Sequence, residues 1–391
     1  MKKHWRDCRL GDVLTLKRGH DLPGETRIEG DVPVVSSSGI TGFHNEAKAQ
    51  APGVVTGRYG TIGEVYYLDQ DYWPLNTSLY VIDFKGTRPR FAAYFLRNVL
   101  KDYQSDKAAV PGVDRNVLHE IKVRAPDPTT QERIEATLTA YDDMMENNRR
   151  RMALLEESAR LLYREWFVHL RFPGHEHTCL INGLPQGWER VELNNIINVT
   201  HGYAFQGADF SEETTSRVLT TPGNFRIGGG IKLGKPKFYS EAGPLPPDYI
   251  LAPMDLIVTM TDLSKDSDTL GYPAFVAKLP DVTFLHNQRV GKVVPRGDFF
   301  PKHFLYCVLC DERYRHHVVG AATGGVIKHT SPKRILSYEA GLPRKRQLIE
   351  DFESFAAPLF AQINILVESN EKLRAARDML LPRLMNGEIE V

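Results

Sequence analysis

The stretch WRDCRLGDVLTLKRG (5–19) is written again later in the chain as WERVELNNIINVTHG (188–202). Both open on Trp, alternate polar and apolar residues over a short run, and place a Gly at the same distance from the Trp, at Gly19 and Gly202. Further along, RPRFAAYFL (88–96) matches FPKHFLYCVL (300–309) through Pro89 with Pro301 and Tyr94 with Tyr306. AAVPGVDRNVLHEIKV (108–123) and AATGGVIKHTSPKRIL (321–336) each carry a Gly-Val pair. A proline and a glutamine then open a long helix twice, Pro126 with Gln131 and Pro343 with Gln347. Five matches in one order, with loops of different length between them, describe a duplicated chain whose period is about half its length.

The first part of each unit alternates β-rich runs with Gly, Pro and Asn punctuation, as in VPVVSSSG (32–39), SLYVIDF (78–84) and DLIVTMTD (255–262). Short strands between loops predict a strand-rich domain, with helices at FAAYFLRNVL (91–100) and HFLYCVLCDERY (303–314). The tail of each unit reads differently. Ile134, Leu138, Tyr141, Met145, Met152, Leu155, Ala159, Leu162 and Trp166 recur in steps of four and three, with Asn148 the polar residue on the seam. That is a 3.5-residue repeat, and the run 131–167 makes a rod of ~55 Å. Leu348, Phe352, Phe355, Leu359, Ile363, Leu366, Leu373, Leu380 and Leu384 repeat the pattern around Asn370. Pro358 is expected to kink or interrupt this second helix. The fold class is therefore α+β: two similar strand-rich domains separated by two long coiled-coil helices, expected antiparallel, in a pseudo-two-fold repeat. The expected boundaries are a first domain over 1–127, a central helix over 128–170, a Pro- and Gly-punctuated linker over 171–186, a second domain over 187–342 and a C-terminal helix over 343–391.

Composition excludes several classes. Apolar residues at 42% and charged residues at 25% are those of a soluble globular chain, not a disordered one. No run approaches the ~18 apolar residues of a membrane span, and no apolar stretch comes after the basic N-terminus as in a secretory signal. Four cysteines do not make a disulfide framework, and a reducing cytoplasm is the expected compartment. The 49 basic and 49 acidic residues balance, which argues against a chain that coats nucleic acid by charge alone. A DNA reader with charge partitioned between faces stays possible.

Two similar but non-identical domains on a stiff spacer suit a target in two parts. Half-sites on one face of B-DNA lie ~34 Å apart, and diverged loops let each domain read its own sequence. The order of Trp-containing opening, variable region, GRYGTIG (57–63), Gly-Val stretch, Pro and Gln, long helix, then all again, resembles the specificity subunit of type I restriction-modification systems. HGYAFQGADF (201–210), HNQRVGKVVP (286–295) and GGVIKHTSPKRIL (324–336) are similar to that family too, and the likeness covers essentially the whole chain. The resemblance implies a non-catalytic subunit whose two target recognition domains contact double-stranded DNA in two major-groove segments. It implies docking of two methyltransferase subunits on the paired helices, with restriction subunits added where the system cleaves. No cofactor is expected on this chain. S-adenosylmethionine, and ATP with magnesium, belong to the partners.

Candidate DNA contacts come from chemistry and position. In GRYGTIG the glycines permit close approach to a backbone, and Arg58, with Tyr59 and Thr61, suits guanine O6/N7 or phosphate. The Gly-rich SSSGITGFHN (36–45) offers Ser36, Ser38, Thr41 and Asn45. In the second unit TPGNFRIGGGIKLGKPK (221–237) offers Asn224, Arg226, Lys232 and Lys235. HNQR (286–289) offers Gln288 and Arg289, and at most two of its four residues can face one groove because strand side chains alternate. Lys328, His329 and Ser331 lie in the basic stretch GGVIKHTSPKR (324–334). Each of these has a plain reading as a surface loop or hairpin. The runs Arg149-Arg150-Arg151 and Arg344-Lys345-Arg346 read either as solvated helix faces or as phosphate or partner contacts.

Catalytic signals fail one by one. The pattern G-x-x-x-x-G-K at 229–235 has Pro236 where a phosphate-binding loop needs Ser or Thr. Cys307 and Cys310 form C-x-x-C in an apolar run with no second pair, which reads as buried thiols before it reads as a zinc site with His303 or His316. Asp262, Asp266 and Asp268 lack calcium-loop or nuclease spacing and are expected in a solvated loop. Two other readings stay open: a helical scaffold joining two protein-binding domains, and the recognition half of a split methyltransferase or nuclease.

Overall fold

The computed structural model describes residues 5–58, 63–101, 113–233, 236–262, 268–320, 322 and 327–391. It divides into two compact units: Met1–Met145 with Lys372–Val391, and Glu146–Glu371. Strand-rich regions alternate with two long helices, Pro128–Tyr163 and Gln347–Met385, so the α+β class holds.

The first unit is closed by its outermost strands. Trp5–Arg9 pairs antiparallel with Lys122–Pro126, Trp5 opposite Pro126. Inside, a four-stranded sheet runs in the order Thr15–Arg18, Ser78–Asp83, Gly53–Gly57, Val65–Leu68. A three-stranded sheet places Val32–Ser36 between Gly39–His44 and Trp73–Pro74, parallel to the latter. The helix Pro89–Leu100 starts on a proline whose missing N–H costs nothing in the first turn. It buries Phe91, Phe95 and Leu96 against Leu10, Leu79, Ile134, Leu138, Leu384 and Met385.

The second unit repeats this plan. Trp188–Glu192 pairs with Glu339–Pro343, Trp188 opposite Pro343. Its four-stranded sheet runs Ile197–His201, Val290–Pro295, Leu256–Thr259, Pro273–Phe275. A five-stranded sheet contains the parallel pair Arg217–Thr220 and Thr283–His286, in the place of the parallel pair in the first unit. Lys302–Cys310 is the counterpart of Pro89–Leu100. The matched tyrosines do the same work: Tyr94 Oη donates to Asp142 Oδ2 at 2.5 Å, and Tyr306 Oη donates to Glu156, both carboxylates on the first long helix.

Within each unit the long helices pack antiparallel. In the second, Asn148 meets Asn370 while Tyr163 meets Phe352. In the first, Asp142 meets Arg377 while Ile134 and Leu138 share a core with Leu381 and Leu384. Asp127 opens the first helix by accepting a 2.8 Å bond from Thr130 N, so it begins three residues before Gln131.

Two expectations need correction. The second helix runs unbroken through Pro358. A mid-helix proline costs ~3 kcal/mol, whereas burying Phe352, Ala356 and Phe360 on either side of it gains ~1.5–3 kcal/mol for each large side chain. The seam also drifts. Ile134, Leu138, Met145 and Ala159 are buried, but Tyr141, Met152, Leu155 and Leu162 are only half-buried, and Glu156, Tyr163 and Phe167 take the inner positions beside them. In the second helix Ile349, Ala356 and Phe360 replace Leu348, Phe355 and Leu359, and Phe355 is exposed. Leu366 and Asn370 stay inside, Leu373 and Leu380 are half-buried, and Leu381 is buried beside Leu380. A straight helix turns every 3.6 residues, so a strict 3.5 repeat drifts off the buried face by ~20° in each heptad.

Candidate nucleic-acid interface

The candidates of the first unit fall on a hairpin and a strand end. Ser36 ends Val32–Ser36 and is buried; its Oγ accepts from Ser38 N at 3.1 Å and lies 2.9 Å from Ser38 Oγ, fixing the turn to Gly39. Ser38, Thr41 and Asn45 are exposed, and Thr41 Oγ1 donates to Val34 O at 3.4 Å. Ile40 and Phe43 stand exposed beside them at 53% and 54%, on an edge strand, where the sequence reading looked only for polar groups. Arg58 comes directly after Gly53–Gly57 and is half-buried; Tyr59 and Thr61 lie outside the described residues.

In the second unit, Asn224 is committed to its own turn: its Oδ1 accepts from Thr221 N at 2.8 Å and its Nδ2 donates to Lys232 O at 3.4 Å. Arg226 reaches the first long helix, where Nη2 donates to Glu156 Oε2 at 2.8 Å. Glu156 is buried and also accepts from Arg160 and Tyr306. Gly228, Gly229 and Gly230 all have φ near +90° and wrap these guanidiniums; a Cβ on Gly229 would sit 3.0 Å from Arg160 Nη2. Lys232 is exposed, and Lys235 lies outside the described residues.

Gln288 and Arg289 are exposed on the turn between Thr283–His286 and Val290–Pro295, and their side chains make no hydrogen bond or ion pair among the described residues. His286 is buried, with Nε2 2.8 Å from Val290 O, and burial holds its imidazole below the ordinary range. The strand pair Thr261–Asp262 with Lys328–His329 adjoins this turn. His329 is exposed with Nδ1 3.1 Å from Thr261 Oγ1, and Ser331 caps Pro332–Leu336 by accepting from Arg334 N at 3.2 Å. The structure thus brings Gln288, Arg289, Lys328, His329 and Ser331 together and leaves Asn224 and Arg226 in another part of the unit.

The discarded catalytic signals have structural explanations. The loop at 229–235 leads into the strand Lys237–Tyr239, not a helix. Cys307 is buried and its thiol is raised well above the ordinary range by burial; the Cys310 thiol is pushed up to about 12 for the same reason. His303 bonds Glu353 at 2.6 Å instead. No group of three metal-ligating side chains occurs among the described residues. Asp262 is not solvated: it is buried and accepts from Thr269 N at 2.5 Å and Oγ1 at 2.7 Å, holding that turn, while Asp266 lies outside the described residues. No helix among the described residues is long and apolar enough to cross a membrane.

Residues 2–157 match the family described as Type I restriction modification DNA specificity domain. The chain is 21% identical to the type I restriction enzyme MjaVIII specificity subunit of Methanocaldococcus jannaschii, over 74% of this chain and 67% of that one. It is 24% identical to the MjaIX specificity subunit of the same organism, over 77% and 68%. It is 22% identical to the HindI specificity subunit of Haemophilus influenzae, over 97% and 93%. The crystal structure of a type I restriction-modification S subunit from M. genitalium has the same fold, with a TM-score of 0.53 at 16% identity over 98% of this chain and 97% of that one. With a duplicated strand-rich plan and paired long helices, the chain is similar along most of its length to the specificity subunits of type I restriction-modification systems, and residues 2–157 carry the match to their DNA specificity domain.

Proposed function

We propose that each unit reads one half of an asymmetric, interrupted DNA target. The observation that carries this is a shared frame with unlike loops: the same outer strand pair and four-stranded sheet bear a short hairpin at 32–45 in one unit and a long glycine-rich loop at 221–233 in the other. A single frame with two different loops suits two different sequences. On this reading domains 1–127 and 187–342 hold the DNA, joined by the linker 171–186, and helices 128–170 and 343–391 dock two methyltransferase subunits. Ser38, Thr41 and Asn45 with Arg58, and Gln288, Arg289, Lys328 and His329 with Lys232, are the contact candidates of the two units. S-adenosylmethionine, and ATP with magnesium where restriction subunits join, act on the partners. The chain then works in the cytoplasm with the DNA.

The test is methylome sequencing of a host without type I systems, expressing this chain with its cognate methyltransferase subunit. The expected result is a bipartite methylated motif that disappears without this chain. An assembled complex that binds S-adenosylmethionine but methylates no motif would move the scaffold reading forward.

A further inference from the structure

A second likeness between the units lies at the end of the four-stranded sheet. In the first unit His20 N donates to Pro74 O at 2.7 Å and Ser78 N to Leu75 O at 2.9 Å. In the second, Tyr203 N donates to His286 O at 2.8 Å and Val290 N to Asn287 O at 3.0 Å. His20 bridges Leu75 in parallel, as Tyr203 bridges Asn287. The preceding Gly19 and Gly202 each lie so close to the turn's carbonyls that no Cβ fits. Turn 75–77 is therefore the counterpart of turn 287–289.

The neighbouring strand closes the same niche. Arg58 N donates to Thr77 O at 2.9 Å and Val113 N to Arg58 O at 2.8 Å. Met260 N donates to Arg289 O at 3.0 Å and Thr330 N to Met260 O at 3.0 Å. Position 58 thus corresponds to 260, and 77 to 289. One arginine sits on this backbone pair in each unit, but on opposite members: Arg58 across from Thr77, and Arg289 across from Met260.

We propose that Arg58 and Arg289 are equivalent and bind the phosphate backbone of DNA, the part of the target common to both half-sites; this rests on the DNA-reading assignment above. Readout of a guanine needs the cation's donors in fixed register with the base edge. An arginine that reaches one niche from either side of a hydrogen bond keeps its charge there and not its register. That suits a phosphate, which positions the protein without carrying sequence. The elements that differ between units, the hairpin at 32–45 and the loop at 221–233, are left to read bases.

The experiment uses the assembled complex with its methyltransferase partner and duplexes carrying either the methylated motif or a scrambled one. Binding is followed across a salt series for Arg58→Gln and Arg289→Gln. Each variant is expected to weaken both duplexes alike and to reduce the salt slope of log K by about one, with the methylated motif unchanged. Arg58→Lys and Arg289→Lys are expected to restore the slope, because a phosphate accepts either cation, which a packing role would not allow; a guanine contact is distinguished by a change in the methylated motif. An unchanged slope, a motif altered in one half, or lysine variants that fail like glutamine would overturn the inference. A wild-type complex that methylates no motif would instead overturn the DNA-reading assignment, and the inference with it.

Discussion

The Asn148 side-chain amide donates to the Asn370 side-chain carbonyl at 2.9 Å, and both residues are buried on the seam between the long helices. A polar pair in an apolar seam fixes register, since any slip leaves both amides unsatisfied. Asn148→Ala alone removes the donor to the buried Asn370 side-chain carbonyl and is expected to cost about 1–3 kcal/mol. The double variant Asn148→Leu, Asn370→Leu is expected to recover most of that loss. Urea unfolding compares them, and a double variant as weak as the single would show that the pair does more than satisfy itself.

Glu156 accepts from Arg160, Arg226 and Tyr306, so its loss leaves two guanidiniums and a hydroxyl without their acceptor. Glu156→Ala is expected to cost about 3 kcal/mol or more. Arg226→Ala is expected to cost under about 1 kcal/mol, because the Arg226 side chain is 44% exposed and Arg160 still pairs the carboxylate. Equal losses in denaturant titrations would remove Glu156 from the centre of the cluster.

Gly19 and Gly202 have no room for a methyl group against the backbone of their turns. Gly19→Ala and Gly202→Ala are each expected to destabilise by about 1–3 kcal/mol. Hydrogen exchange should locate the loosening at 75–77 in one variant and at 287–289 in the other. Protection unchanged at these turns would contradict the matched close approach.

His286 is held neutral by burial, with Lys292 and His201 acting in the same direction against Asp255 and the Val290 carbonyl. Its folded pKa lies below the ordinary 6.5, so its contribution is complete above that pH and is lost as pH falls toward the folded value. His286→Gln is expected to reduce the fall in Tm between about pH 7 and 5. It should not abolish it, since burial lowers His20, His119 and His317 likewise. A fall as steep as in the parent would assign the pH dependence to those other histidines.

The duplicated frame was legible because its constraints are local and strong. A Trp at the strand start, a Gly at the tight approach and a Tyr on the short helix recur at matching places. The helical seam was legible at Ile134, Leu138, Met145, Asn148 and Ala159 and missed at Leu155 and Leu162, where Glu156 and Tyr163, one residue further on, face inward. Arg226 looked like a free cation in a glycine-rich loop because its partner Glu156 is 70 residues away on a helix. Equivalence of turns 75–77 and 287–289 was hidden for a similar reason: LNT and NQR share no residue type position by position, and only main-chain hydrogen bonds align them. The Gly-Val match shifts too, since Val113 corresponds to Thr330, four residues past Val326.

The core that places Leu10 and Leu16 against Leu381, Leu384 and Met385 has a consequence for synthesis. Residues 146–371 form one continuous segment and can complete their packing from within it. The first unit cannot, although its strands emerge first, because its core takes in 372–391. Its N-terminal portion must wait through the making of more than half the chain with part of its apolar surface uncovered. Nascent-chain protection by chaperones, and vulnerability to proteases before release, should therefore concentrate on the half that is made first.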